Sequence, residues 1–141
     1  MKQYFYIPIP IISQDLLIIK GFKNIGKAIV DHLVKHKWMT EEYSKGCDEA
    51  LNELYYCEDS NGIAFMPSIQ YEEGKRVRIA CIVVEEYDVP VLLHETVHIA
   101  WQVLDESGIN ISKNNHEILA YLIQYISKII WSEVEKTQKG K

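Results

Sequence analysis

The spacing of apolar and polar positions predicts most of the elements of the chain. Residues 2–9 are rich in aromatics and isoleucine and read as a strand. Residues 16–19 are a short apolar run, either a second strand or the lead-in to a helix. Across 21–37 the apolar residues Ile25, Ala28, Ile29, Leu33 and Val34 recur at helical spacing. Thr40 opens a further helix that reaches Tyr55, with acidic residues in its first turn. Ser60-Asn61-Gly62 marks a turn. Two strand-like runs follow, 63–71 and 76–85, joined by Glu72-Glu73-Gly74-Lys75 as a hairpin loop. The second run starts with polar/apolar alternation and becomes continuously apolar, as a strand does when it leaves an edge and enters a core. Cys81 within it reads as a buried small hydrophobe.

The last third is helical. A helix is expected over 89–107, with Asp88 as its N-cap, Pro90 in the first turn where a missing N–H costs little, and Gly108 just past its end. A second helix is expected over 114–135. Strands and helices are mixed first, then come a hairpin and two long helices. That order predicts an α+β fold, a small mixed sheet with a hairpin packed on helices.

Composition narrows the reading. The chain has 141 residues, enough for one domain spanning 1–141 and too few for a second independent core. Apolar residues make up 48% and charged residues 25%, which argues against disorder over most of the chain. A net charge of −5 is opposite to what duplex nucleic acid attracts. Lys136, Lys139 and Lys141 form the one basic bias and read as a frayed, solvated tail. No run approaches the ~20 apolar residues of a spanning helix, since 7–12 contains two prolines and 118–126 is broken by Gln124. The N-terminus lacks the apolar core and cleavage site of a secretion signal. Cys47, Cys57 and Cys81 are odd in number and form no C-x-x-C pair, which speaks against a disulfide framework or a thiolate zinc site. The expectation is a cytoplasmic protein with neither membrane nor nucleic-acid partners.

Chemistry enters at His94-Glu95-Thr96-Val97-His98. Residues four apart sit one turn apart on one helix face, so two imidazoles converge on a point where a zinc ion fits. Glu95 lies about 100° round the helix, poorly placed for the same coordination sphere but able to reach a water beside it. Most of the remaining circumference of this helix is apolar, including Leu92, Leu93, Val97, Ile99, Ala100, Val103 and Leu104, so it is expected to be buried. A metal in a cleft would compensate the polar stripe. The alternative is an amphipathic helix whose polar stripe faces water. Trp101, beside the stripe, reads as a packing residue. A second pair, His32 and His36, has Leu33 where a base would stand and charged neighbours Asp31, Lys35 and Lys37, and reads as an exposed helix face.

A catalytic zinc takes three protein ligands and keeps one open position. The next candidate is Glu117, nineteen residues after His98. His116 is an alternative ligand, and Asp105 a candidate for a supporting role. Glu117 could equally be the N3 partner of an Asn114 N-cap, or simply a solvated residue.

The pattern of His94-Glu95-x-x-His98, a Gly-terminated helix, a short loop and a helix opening with Glu117 resembles the gluzincin, thermolysin-like branch of the zincin metallopeptidases. It covers about a quarter of the chain, from Val89 to Tyr125. The run Glu117-Ile118-Leu119-Ala120-Tyr121 is similar to compact zincin-like proteins of phages and prophages. The resemblance implies a minimal zincin fold, a Zn²⁺ cofactor held by His94, His98 and Glu117, Glu95 as general base, and a peptide or protein substrate. It also implies that one strand of the 63–85 hairpin pairs with an extended peptide. One position departs: four residues after the ligand Glu the thermolysin-like helix carries an Asp that orients a histidine, and here stands Tyr121. Tyr121 is either a donor to the oxyanion of a tetrahedral intermediate or a helix tyrosine with its hydroxyl at the surface. The expected activity is that of a small zinc-dependent hydrolase, a metallopeptidase. Its rivals are a non-catalytic zinc-containing structural or interaction protein and a metal-free helical interaction protein.

Overall fold

A computed structural model describes residues 4–9, 14–55 and 61–139. In chain order the elements are β1 (Tyr4–Ile9), β2 (Gln14–Lys20), a 3-10 turn (Phe22–Asn24), α1 (Ile25–Lys35), α2 (Glu41–Ser44), α3 (Cys47–Tyr55), β3 (Gly62–Phe65), β4 (Ser68–Glu72), β5 (Lys75–Arg78), β6 (Ala80–Val84), α4 (Val89–Glu106) and α5 (His116–Lys139). The main sheet has the order β1-β2-β6-β3. β2 runs antiparallel to β1 and parallel to β6, and β3 closes the other side antiparallel to β6.

The two central strands have the most continuously apolar sequences. Leu16, Leu17, Ile18, Ile19 and all of β6 are buried, as strands covered on both faces must be. On the edge, β1 alternates: Phe5, Ile7 and Ile9 face the core, while Tyr6 and Pro8 point out. Pro8 is tolerated there because an edge strand can spare an N–H.

One face of the sheet packs Leu16, Ile18, Ala80, Ile82 and Val84 against Leu92, Ile99 and Val103 of α4 and Leu122, Ile126 and Ile130 of α5. The other face packs Leu17, Ile19, Cys81 and Val83 against Ile25, Ile29 and Leu33 of α1. The result is three layers of mixed α and β structure. Cutting the fully buried Leu92 back to alanine would cost about 2–5 kcal/mol. Burial also pushes the Cys81 thiol far up, so it stays protonated and behaves as a small apolar side chain.

The α+β class and the small mixed sheet agree with the sequence reading, and 16–19 proves to be strand. Two expected elements are subdivided. The helix expected over 40–55 is broken into α2 and α3 at Gly46, whose φ of 82° lies in the left-handed region. Its start is as expected, with the Thr40 hydroxyl accepting a hydrogen bond from the Tyr43 N–H at 3.1 Å. The expected 63–85 hairpin is divided between two sheets. Its base, β3 and β6, belongs to the main sheet, and its tip, β4 and β5, forms a separate two-stranded sheet. The division falls at Pro67, which cannot donate to a ladder but accepts from the Ile79 N–H at 3.1 Å. Residues 2 and 3, Cys57 and the end of the basic tail lie outside the described residues. Among the described residues, no helix is long and apolar enough to cross a membrane.

Candidate metal centre

α4 carries the His-Glu-x-x-His run, and both of its ends follow from sequence. Pro90 sits in the first turn, and Asp88 precedes the helix in extended conformation, its backbone carbonyl accepting from Leu92 at 3.0 Å. The Asp88 side chain makes no capping bond, contrary to the expectation. At the far end the Ile109 N–H bonds Leu104 O at 2.9 Å and the Gly108 N–H bonds Asp105 O at 3.1 Å, the Schellman arrangement that a glycine at this position favours.

Within α4 the imidazoles of His94 and His98 converge, with their Nε2 atoms 3.3 Å apart. Two nitrogens each ~2.0–2.1 Å from a tetrahedral zinc lie ~3.3–3.4 Å from one another. Both histidines are solvent-exposed and reachable from outside. The two donors therefore fit one edge of a zinc site in both chemistry and separation.

Glu95 points elsewhere, as its angular offset predicts. It is 7% exposed and lies against β3. A Cβ on Gly62 would fall 2.8 Å from Val91 Cγ1 and 3.3 Å from Glu95 Cγ, so the absence of a side chain at Gly62 lets α4 approach this edge strand. Beside them opens a cleft of about 530 Å³, lined by Gly62, Ile63 and Ala64 of β3 and by Glu95, His98, Trp101, Gln102 and Asp105 of α4. The next residue, Thr96, is fully buried and donates its hydroxyl to Leu92 O at 2.7 Å.

The surroundings of α4 differ from the expectation in one respect. The helix is not covered over its whole apolar circumference: Leu93, Val97 and Trp101, spaced by four, form an exposed stripe, and Trp101 is 50% exposed. Trp101 therefore does not pack into the core. The sheet covers one side of α4 and α5 packs Leu122, Ile126 and Ile130 beside it, and two covering layers cannot enclose a full cylinder.

Glu117 is the second residue of α5 and is exposed, with His116 before it and Tyr121, also exposed, one turn on. The Asn114–Glu117 capping box is not what starts this helix. Asn115 is the preceding residue, and its side chain is taken up by the loop, accepting from Ser112 N at 2.7 Å and donating to Asn110 O at 2.8 Å. The packing of α4 on α5 sets Leu93 beside Gln124, Lys128 and Trp131. The level of α5 that faces the His94 turn therefore starts about two turns, or about 10 Å, beyond Glu117. Among the described residues, no group of three His, Cys, Asp or Glu side chains is arranged to hold a metal ion. The structure thus brings together His94 and His98, sets Glu95 in the adjoining cleft with Asp105, and keeps Glu117, His116 and Tyr121 at the start of α5.

The second histidine pair is not the exposed face expected. His32 is buried and its Nε2 lies 3.3 Å from Asp15 Oδ2, at the start of β2. The His36 ring is 4.4 Å away, and the Tyr6 ring touches both. Burial is the main reason that the His32 pKa is lowered; His36 adds to it and Lys35 slightly so, while Asp15 opposes it. Asp15 and Tyr6 come from strands distant in sequence, so local charge pattern alone could not show this burial.

No family model matches the chain, and neither a curated protein nor a solved structure matches it.

Proposed function

We propose that this chain is a small zinc-dependent peptidase of zincin-like fold, in which His94 and His98 hold the metal and Glu95 is the general base. The observation that carries the reading is the 3.3 Å separation of the two Nε2 atoms on one helix turn, with a buried carboxylate at the adjoining position. A zinc ion held by His94 and His98 would supply a Lewis acid that polarises a carbonyl and lowers the pKa of bound water. Glu95 takes the proton from the attacking water and delivers it to the departing amine. β3 lies against the Glu95 side chain, which is 7% exposed, and limits its freedom. As the outer strand of the main sheet, β3 offers backbone groups with which an extended peptide could pair above the cleft. Glu117 as third ligand and Tyr121 as oxyanion donor rest on the resemblance to gluzincins, not on the imidazole separation.

The test is cleavage of a broad peptide library by zinc-loaded wild type and Glu95→Gln side by side. General-base assistance is worth ~10²–10⁴-fold, so turnover should fall by that order in the variant while zinc stays bound. Equal turnover in the two would exclude the mechanism.

The exposed stripe of Leu93, Val97 and Trp101 beside the histidines favours a second reading, a zinc-containing interaction protein without catalysis. Stoichiometric zinc with no turnover in either protein is the result that this reading predicts.

A further inference from the structure

The cleft beside His98 is lined by two carboxylates, Glu95 and Asp105, and among the described residues neither is paired with a cation. Glu95 is more than nine-tenths buried, yet among the described residues its carboxylate has no hydrogen-bond or ion-pair partner. Asp105 lines the other end, also without an ion pair among the described residues; the cation next to this turn of α4, Arg78, pairs with Glu106 at 3.1 Å. Among the described residues, no lysine or arginine lines the cleft. Its walls are the half-exposed Trp101 indole and the β3 strand, whose Gly62 and Ala64 face α4, and Gln102 adds one amide. The four α4 residues His98, Trp101, Gln102 and Asp105 share one helix face, being spaced by three, four and seven. Seven residues of helix place Asp105 about 10 Å along the axis from His98.

Resting on the peptidase reading, the geometry points to this cleft as a specificity pocket for a lysine or arginine side chain close to the scissile bond. A long aliphatic stem matches the apolar walls, the cationic head can lie over the Trp101 ring, and Asp105 terminates the slot with the opposite charge. A purely apolar side chain would fill the walls and leave Asp105 without a counter-charge. An acidic one would face two carboxylates. Asp105 and Trp101 are thus the specificity-determining residues, while Glu95 keeps its place at the catalytic end.

Binding measured without turnover separates this inference from the reading beneath it. Blocked alanine tetrapeptides with lysine, arginine, norleucine or glutamate at one position are titrated calorimetrically into the full chain, with chelator present so that nothing is cleaved. Lysine and arginine peptides should bind about three- to tenfold more tightly than the norleucine peptide, the sum of an exposed ion pair and a cation–π contact. The preference should shrink at high salt. Asp105→Asn should bring the ratio close to one, and Trp101→Leu should reduce it in part. Asp105 is exposed and in the last turn of α4, where losing a negative charge does not weaken the helix, so the variant should fold. Equal binding of norleucine and lysine peptides, a ratio untouched by Asp105→Asn, or no binding by any peptide would each overturn the inference. Loss of the peptidase reading shows itself separately, as absence of zinc or of Glu95-dependent cleavage.

Discussion

Glu95 rests against Gly62: a side-chain carbon on that glycine would come within 3.3 Å of the Glu95 Cγ. The contact couples the placement of the candidate base to the edge strand β3, and one methyl group is enough to disturb it. Val91 Cγ1 would be closer still, at 2.8 Å, so α4 would have to move away from the sheet. Overpacking of this kind costs about 1–3 kcal/mol. Gly62→Ala should therefore lower the urea midpoint and, in a catalytically active protein, lower turnover of the fraction that remains folded. An unchanged midpoint would mean that α4 does not depend on this close approach.

Purified protein loaded in zinc-containing buffer should retain about one zinc per chain by elemental analysis, because two imidazoles at this separation need only complementary ligands to complete a tetrahedron. His94→Ala or His98→Ala should each abolish retention. Full stoichiometry in the double variant would place the metal elsewhere.

The third ligand is decided by comparing neighbours. In a competitive chelator titration Glu117→Gln should weaken zinc binding more than His116→Ala. The reverse order would assign the ligand to His116. No effect from either would match the two-turn offset between Glu117 and the His94 level of α4, and would leave the histidine pair without a ligand from this helix.

The buried His32 predicts an acid sensitivity unrelated to zinc. Burial lowers its pKa below the ordinary value of about 6.5, so the unfolded chain takes up a proton that the folded one resists. Stability should be unaffected by this group above about pH 6.5 and should fall as pH drops from there toward the lowered folded-state value. Urea midpoints across that window should decline more steeply for wild type than for His32→Gln. Parallel curves would show that His32 contributes nothing to acid sensitivity.

Much of this architecture was legible from residue pattern, and the gaps have physical causes. The bounds of α4 follow from Pro90 and Gly108, which act locally, and the convergence of His94 and His98 follows from helical periodicity alone. Glu95's burial also follows from that periodicity once α4 lies on a sheet. What one-dimensional spacing does not carry is which residue of a second helix stands opposite a given turn. Sequence distance puts Glu117 near the histidines, whereas the packing of Leu122, Ile126 and Ile130 determines the level of α5. The Gly62 contact was hidden in the same way. Its turn signal in Ser60-Asn61-Gly62 was visible, but the helix that leans on it starts almost thirty residues later. The buried environment of His32 was missed because Asp15 and Tyr6 reach it through tertiary structure.

The parallel pairing at the centre of the sheet has a kinetic consequence. β2 meets β6 with Leu16 opposite Ala80, residues 64 positions apart, and α4 docks on the strand completed by that union. Closing so long a segment is slow compared with forming a helix or a hairpin. The His94–His98 pair is local to one helical turn and can exist before this closure. The Glu95–Gly62 wall cannot, because it requires β3 to be zipped onto β6. On the proposed reading, a newly made chain would bring its two imidazoles together earlier than it seats its base, whose wall waits on a strand pairing between residues up to 22 positions apart rather than on one helical turn.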